Sequence, residues 1–150
     1  DKDGNLRNWW TPQDKANFKA RTQRMIRFFD GIEVLPGLHC NGALTCGENI
    51  ADHGGIKIAY QAFQKAQAQN PSTVNDGFTP EQRFFISYGQ IWASNIRPEA
   101  LRNQVKTDPH APARWRVNGA LPQIEAWYKA FGIKKGDKLF VPKNKRVDIW

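Results

Sequence analysis

The chain has 150 residues, enough for one domain or part of one with a core of its own. Its 22 Lys and Arg against 14 Asp and Glu leave a formal net charge of +8, a balance that suits an anionic partner or simple solubility. No apolar run approaches the roughly 18 residues of a membrane span, no stretch reads as a signal peptide, and Cys40 and Cys46 are too few for a disulfide scaffold.

Asp1 to Asn8 is polar and reads as a turn around Gly4, followed by Trp9 and Trp10. Thr11-Pro12-Gln13-Asp14 predicts a helix start, with Thr11 as N-cap, Pro12 in the first position and Asp14 in the first turn. Phe18, Met25, Ile26 and Phe29 carry that helix to about Asp30, and Gly31 ends it. Residues 32–45, with Pro36, Gly37 and Gly42, read as a loop. A second helix holds Gly47 to Gly55 and continues to about Gln69, where Pro71 stops it.

Thr79 and Gln82 have capping-box spacing at the head of a third helix, whose apolar face is Phe84, Phe85, Tyr88, Ile91 and Trp92. Pro98 begins a short helix through Val105. Residues 107–122 are loop with one short helix at most, because Pro109, Pro112, Gly119 and Pro122 interrupt them. Ile124, Trp127, Tyr128 and Phe131 give a last helix, stopped by Gly132. The tail from Lys134 to Trp150 is extended, with a short strand expected around Leu139 to Val141. It carries the densest basic run, Lys134, Lys135, Lys138, Lys143, Lys145 and Arg146, read here as a solvated surface. The class is mainly α, with no internal repeat or domain boundary.

Two stretches carry chemistry. In Gly47-Glu48-Asn49-Ile50-Ala51-Asp52-His53-Gly54-Gly55, a helix places Glu48 and Asp52 on one face, about one turn apart. Glycines inside a helix cost roughly 1 kcal/mol each against alanine, so Gly54 and Gly55 point to a close neighbour or ligand. In Lys106-Thr107-Asp108-Pro109-His110-Ala111-Pro112, a histidine is fixed between prolines. Asp108 is placed to accept a hydrogen bond from it and keep it aimed or cationic. By spacing alone, both stretches also fit solvated surface groups.

Together these stretches resemble the neprilysin-like zinc metallopeptidases, the family of neprilysin and endothelin-converting enzyme. G-E-N-I-A-D-H-G-G is similar to that family's third-ligand motif, and K-T-D-P-H-A-P followed by Arg116 to its second motif. The resemblance implies that Glu48 binds zinc, that Asp52 orients a zinc-binding histidine, that His110 stabilises the oxyanion, and that Arg116 binds a substrate carbonyl. Arg114 competes with Arg116, and the spacing from His110 favours Arg116. Gln90-Ile91-Trp92 looks like the family's S1' wall, with Ile91 and Trp92 on it, although core packing explains them equally. Asp3-Gly4-Asn5-Leu6, Trp9-Trp10 and Arg146-Val147-Asp148-Ile149-Trp150 extend the resemblance to nearly the whole chain.

The chain also departs from the pattern. It lacks the cysteine that vertebrate members carry near their terminal tryptophan, and Cys40 and Cys46 stand where neprilysin has aliphatic residues; both favour a bacterial member. The two cysteines either pair across their short loop or remain thiols. The family's H-E-x-x-H is not among His39, His53 and His110.

The resemblance implies the C-terminal helical portion of a thermolysin-like (gluzincin) zinc peptidase catalytic domain. Residues 1–150 would be a single domain or part-domain, inert alone and completed by the N-terminal remainder of the catalytic domain. The parent would be an extracytoplasmic enzyme (periplasmic, secreted or surface-anchored) that hydrolyses oligopeptides with zinc, with no nucleic-acid partner and no membrane segment in this chain. Two competing readings are a basic helical module for nucleic acid or another polyanion and an inactive peptide-binding homologue. The chain opens at Asp1 without a start methionine, as a fragment or a processed product would. H-E-x-x-H is expected on a helix on the order of ten to fifteen residues before Asp1. Reading the gene upstream checks this, and a parent lacking the motif would remove the peptidase reading.

Overall fold

The computed structural model describes residues 1–149; Trp150, part of the C-terminal resemblance, lies outside them. The first helix, α1, spans Pro12–Asp30, and Thr11 caps it by accepting a bond from the Asp14 N–H at 3.1 Å. A hairpin follows, β1 (Glu33–Leu35) and β2 (Leu38–His39), paired antiparallel. Pro36 and Gly37 make its turn, with Gly37 at φ +72°, where a Cβ would be strained. This corrects the loop expected over residues 32–45: the Pro-Gly turn folds its flanks back on each other.

Helix α2 (Gly42–Gln69) begins earlier than the motif suggested, because Asn41 caps it through the Leu44 N–H at 2.9 Å. Its first residue presses on α1. A Cβ on Gly42 would lie 2.1 Å from the Ile26 carbonyl oxygen, so only glycine fits. Helix α3 (Pro80–Ile91) has the expected capping box between Thr79 and Gln82. Helices α4 (Pro98–Thr107), α5 (Ala113–Asn118) and α6 (Glu125–Phe131) complete the set, and α6 ends at Gly132 in the left-handed region, φ +63°. The architecture is mainly helical, as expected, and no helix of the described residues is long and apolar enough to cross a membrane.

Two apolar clusters hold these elements, and α2 runs through both. Met25 and Phe29 of α1, Cys40, Ile50 of α2, Ala111, Val147 and Ile149 form the first. Ile56 of α2, Phe85 of α3, Leu121, Ile124, Trp127 and Tyr128 form the second. The tail straps the first cluster: the Val147 N–H donates to the buried Gln123 side chain at 2.8 Å, and Arg21 donates to the Ile149 carbonyl at 2.9 Å. The strand expected at Leu139–Val141 is absent among the described residues. The Tyr128 hydroxyl takes the Val141 N–H at 3.0 Å in place of a ladder partner, and Leu139 and Phe140 turn onto the second cluster. Cys40 and Cys46 are both free, which settles the pairing left open by the sequence.

Another face of α2 is uncovered. Gly47, Ala51 and Gly55 are exposed, Ile58 is 70% exposed, and a Cβ on either glycine would meet nothing.

His53, on the covered side, is 1% exposed with Nδ1 unpartnered among the described residues. Burial, then the charge of Lys57, hold its pKa below the ordinary 6.5, against an opposing pull from Asp148. The unfolded chain therefore takes up a proton that the native state resists, and stability falls as pH drops below about 6.5. Thermal melts between pH 7.5 and 5 should show a steeper loss for the wild type than for His53→Leu; parallel profiles would refute a buried neutral His53.

Candidate functional site

Glu48 and Asp52 project from one face of α2 near its N-terminal end. Asp108 follows the last residue of α4 and uses one carboxylate oxygen twice. Its Oδ1 accepts the His110 backbone N–H at 2.8 Å and the His110 Nδ1 at 2.7 Å. Those two bonds, the backbone one foremost, hold Asp108 below the usual carboxylate range. An ionised carboxylate only accepts, so Nδ1 of His110 carries a proton and Nε2 is the nitrogen left to face the site. Nε2 lies 3.4 Å from Glu48 Oε2. Buried Ala111 anchors the loop in the first cluster, and Pro112 leads directly into α5.

Helix α5 then delivers Arg116. Its Nε and Nη2 donate to the two oxygens of Asp52 at 2.7 and 2.6 Å, with side-chain exposures of only 12% and 11%. Such a two-pronged ion pair is strong and directional. The hydrogen bond to Asp52 raises the Arg116 pKa still further above the physiological range, which keeps it charged. Nη2 also lies 3.8 Å from Glu48 Oε2. The guanidinium sits 4.0 Å over the Trp92 ring, a cation–π contact. Arg114 is exposed and lies over Trp115 instead, so Arg116 is the arginine of this cluster.

Every site residue read from the sequence is thereby located. Glu48, Asp52, Asp108, His110, Arg116 and Trp92 come together. Ile91 does not join the core; at the last position of α3 it is 71% exposed, which removes the packing explanation for it. The Asp52–Arg116 pairing was not foreseen. Nor was Tyr88, whose hydroxyl donates to the Arg116 carbonyl at 3.1 Å and whose pKa burial, then Asp52, push up to about 12. Its signal was present: Tyr88 and Trp92 are four apart, on one helical face.

Glu48 suits a metal by the chemistry of its donor: a half-exposed carboxylate of which only Oε2 faces the site's cations. Zinc takes such an oxygen readily. Among the described residues no group of three His, Cys, Asp or Glu side chains could hold a metal, so Glu48 fits as one ligand and not as a site.

The model of peptidase family M13 matches residues 1–147. An endothelin-converting enzyme homolog of Locusta migratoria is 38% identical over all of this chain and 21% of its own length. Human neprilysin is 34% identical over 99% of this chain and 20% of its own length. The Mycobacterium tuberculosis zinc metalloprotease Zmp1, in complex with an inhibitor, superposes with a TM-score of 0.94 at 40% identity, covering all of this chain and 24% of Zmp1. PepO from Lactobacillus rhamnosis gives 0.83 at 37% identity, covering 98% of this chain and 22% of PepO. The chain thus spans about a fifth of the length of the curated relatives it matches.

Asp52 has a structural duty besides any catalytic one. Removing it leaves a guanidinium largely out of water without a counter-charge, so Asp52→Ala should lose roughly 3 kcal/mol of stability. A denaturant titration should show that Asp52→Ala with Arg116→Met recovers part of this loss; strictly additive losses would mean that the pair does not couple.

Proposed function

The chain belongs to peptidase family M13, and from that premise we propose that its parent protein is a zinc-dependent endopeptidase acting on oligopeptides outside the cytoplasm. This chain supplies one metal ligand and the groups that polarise the scissile peptide. One observation carries the reading. Residues from three separate stretches, up to sixty-eight positions apart, converge on a half-open cluster with one carboxylate and two nitrogen donors facing each other.

Glu48 would hold the zinc, together with ligands and a general base from the preceding part of the catalytic domain. The bound metal supplies a Lewis acid that activates water against a peptide carbonyl. The uncovered stripe of α2 beside Glu48 supports a remainder of the domain packed there. The chain's own residues do the positioning. Asp108 fixes the His110 ring by Nδ1, leaving Nε2 to donate, in the imidazolium form, to the oxyanion developing on the substrate. Asp52 takes the Nε/Nη2 edge of Arg116 and presents its remaining N–H groups to a peptide carbonyl. Only a planar fork can serve both partners at once, which is why lysine would be a poor replacement. Asp52 orients a zinc-binding histidine in the same reading. Exposed Ile91 and the Trp92 ring wall the pocket for the side chain after the scissile bond.

The test uses the full-length enzyme, a short quenched-fluorescent peptide and zinc counts on the same samples. Glu48→Ala should lose zinc and activity together. His110→Ala should keep one zinc and lose kcat by roughly 100–1000-fold, with KM far less affected. A near-normal kcat would remove His110 from the mechanism. A full-length protein that binds peptide and zinc but never cleaves would be the inactive homologue.

A further inference from the structure

The positive charge of this chain is not evenly distributed. Seven of the 22 basic residues, but one of the 14 acidic ones, lie between Lys129 and Arg146, so this short segment carries six of the eight net charges. Of its apolar residues, Ile133, Leu139 and Phe140 pack against the second cluster while Phe131 is exposed, and Lys129, Lys134, Lys135, Lys138, Lys143 and Lys145 are all exposed.

The segment borders a cleft of about 490 Å³ between α2, α6 and the tail, a size typical of ligand sites. Both acids on its rim are engaged: Asp148 pairs with Lys57 at 2.7 Å, and Glu125 with Arg146. Lys129 and Lys143 line the same cleft with no ion-pair partner among the described residues. From α2 it receives the exposed amides of Gln61 and Gln64. At 100° per residue, Lys57, Gln61 and Gln64 lie roughly 160–220° around the helix from Glu48, on the side away from the zinc-ligand face.

We propose that this cleft binds a strand of an acidic polysaccharide. Lysine ammoniums are hydrated point charges suited to sulfate and carboxylate groups, and the glutamine amides offer the neutral donors and acceptors that sugar hydroxyls need. Single-stranded nucleic acid would want exposed rings for its bases, whereas Tyr60, on the cleft wall, is already stacked against Phe85 at 5.3 Å. A bilayer would use a row of apolar residues at the surface, and of those between the lysines Ile133, Leu139 and Phe140 are turned inward, leaving Phe131 exposed. A strand held on this side leaves the Glu48 face unobstructed.

The experiment is equilibrium binding of a labelled heparin dodecasaccharide to the full-length protein across a salt series. Lys129→Gln with Lys143→Gln should weaken binding ~10-fold and lower the salt slope by about two charges. Gln61→Ala with Gln64→Ala should weaken it several-fold at unchanged charge. Lys15→Gln with Lys19→Gln, which removes equal charge from exposed positions on α1, should change it less than about 2-fold. Equal losses from the two lysine pairs, or no loss from the glutamine pair, would reduce the effect to net charge and overturn the proposal. So would a DNA duplex or phosphatidylglycerol vesicles that bind more tightly than the glycan and lose as much in the Lys129/Lys143 variant. Binding is read without peptide cleavage, so this result and the peptidase reading fail or stand separately.

Discussion

The ion pair between Arg116 and Asp52 is the contact on which the rest of the site depends. Two short bonds join α5 to α2 with little water around them, and the charges hold because each satisfies the other. The same guanidinium rests on Trp92 at the end of α3, and the Arg116 carbonyl receives Tyr88 from that helix. Three helices therefore meet at one side chain. The His110 loop, which runs directly into α5, inherits its distance from Glu48 from that junction.

Helix α2 serves structure and chemistry on different sides. One side runs through both apolar clusters, with Ile50 in the first and Ile56 in the second. Of the polar groups that fall on this side, Asn49 donates to the Thr45 hydroxyl at 3.0 Å, and burial disfavours the charged form of His53. The two carboxylates of α2, Glu48 and Asp52, stand together on another side. A helix 28 residues long and packed in two places has little freedom to rotate, so its carboxylates are aimed by contacts several turns away.

The elements legible in the sequence were those with local causes. Thr11 and Thr79 announced their helices by capping chemistry, Gly132 ended α6 by adopting a left-handed conformation, and Asp108 reached His110 across two residues. What escaped depended on distant partners. The start of α2 moved back to Gly42 because Asn41 caps it and the Asp30 carboxylate takes the Gly42 N–H at 2.7 Å. Leu139–Val141 had the composition of a strand but found the Tyr128 hydroxyl instead of a neighbouring strand. Ile91 belonged by period to the apolar face of α3, yet it lies where that helix runs out of core. Arg116 and not Arg114 lies in the cluster because Asp52, sixty-four residues away, pairs with it.

Gly42 and Gly119 both stand against α1. The first lies against the Ile26 carbonyl, and a Cβ on the second would come 2.7 Å from the Phe29 ring. The helix bearing Glu48 and the end of the helix bearing Arg116 are thus both seated on a third helix that gives the site no side chain. In engineering terms α1 is a gauge block, and the glycines are its bearing faces. Reacting groups displaced by about an ångström can lose ~100-fold in rate. The tolerance of the site is therefore set at Ile26 and Phe29, and wear there would register as lost rate as well as lost stability.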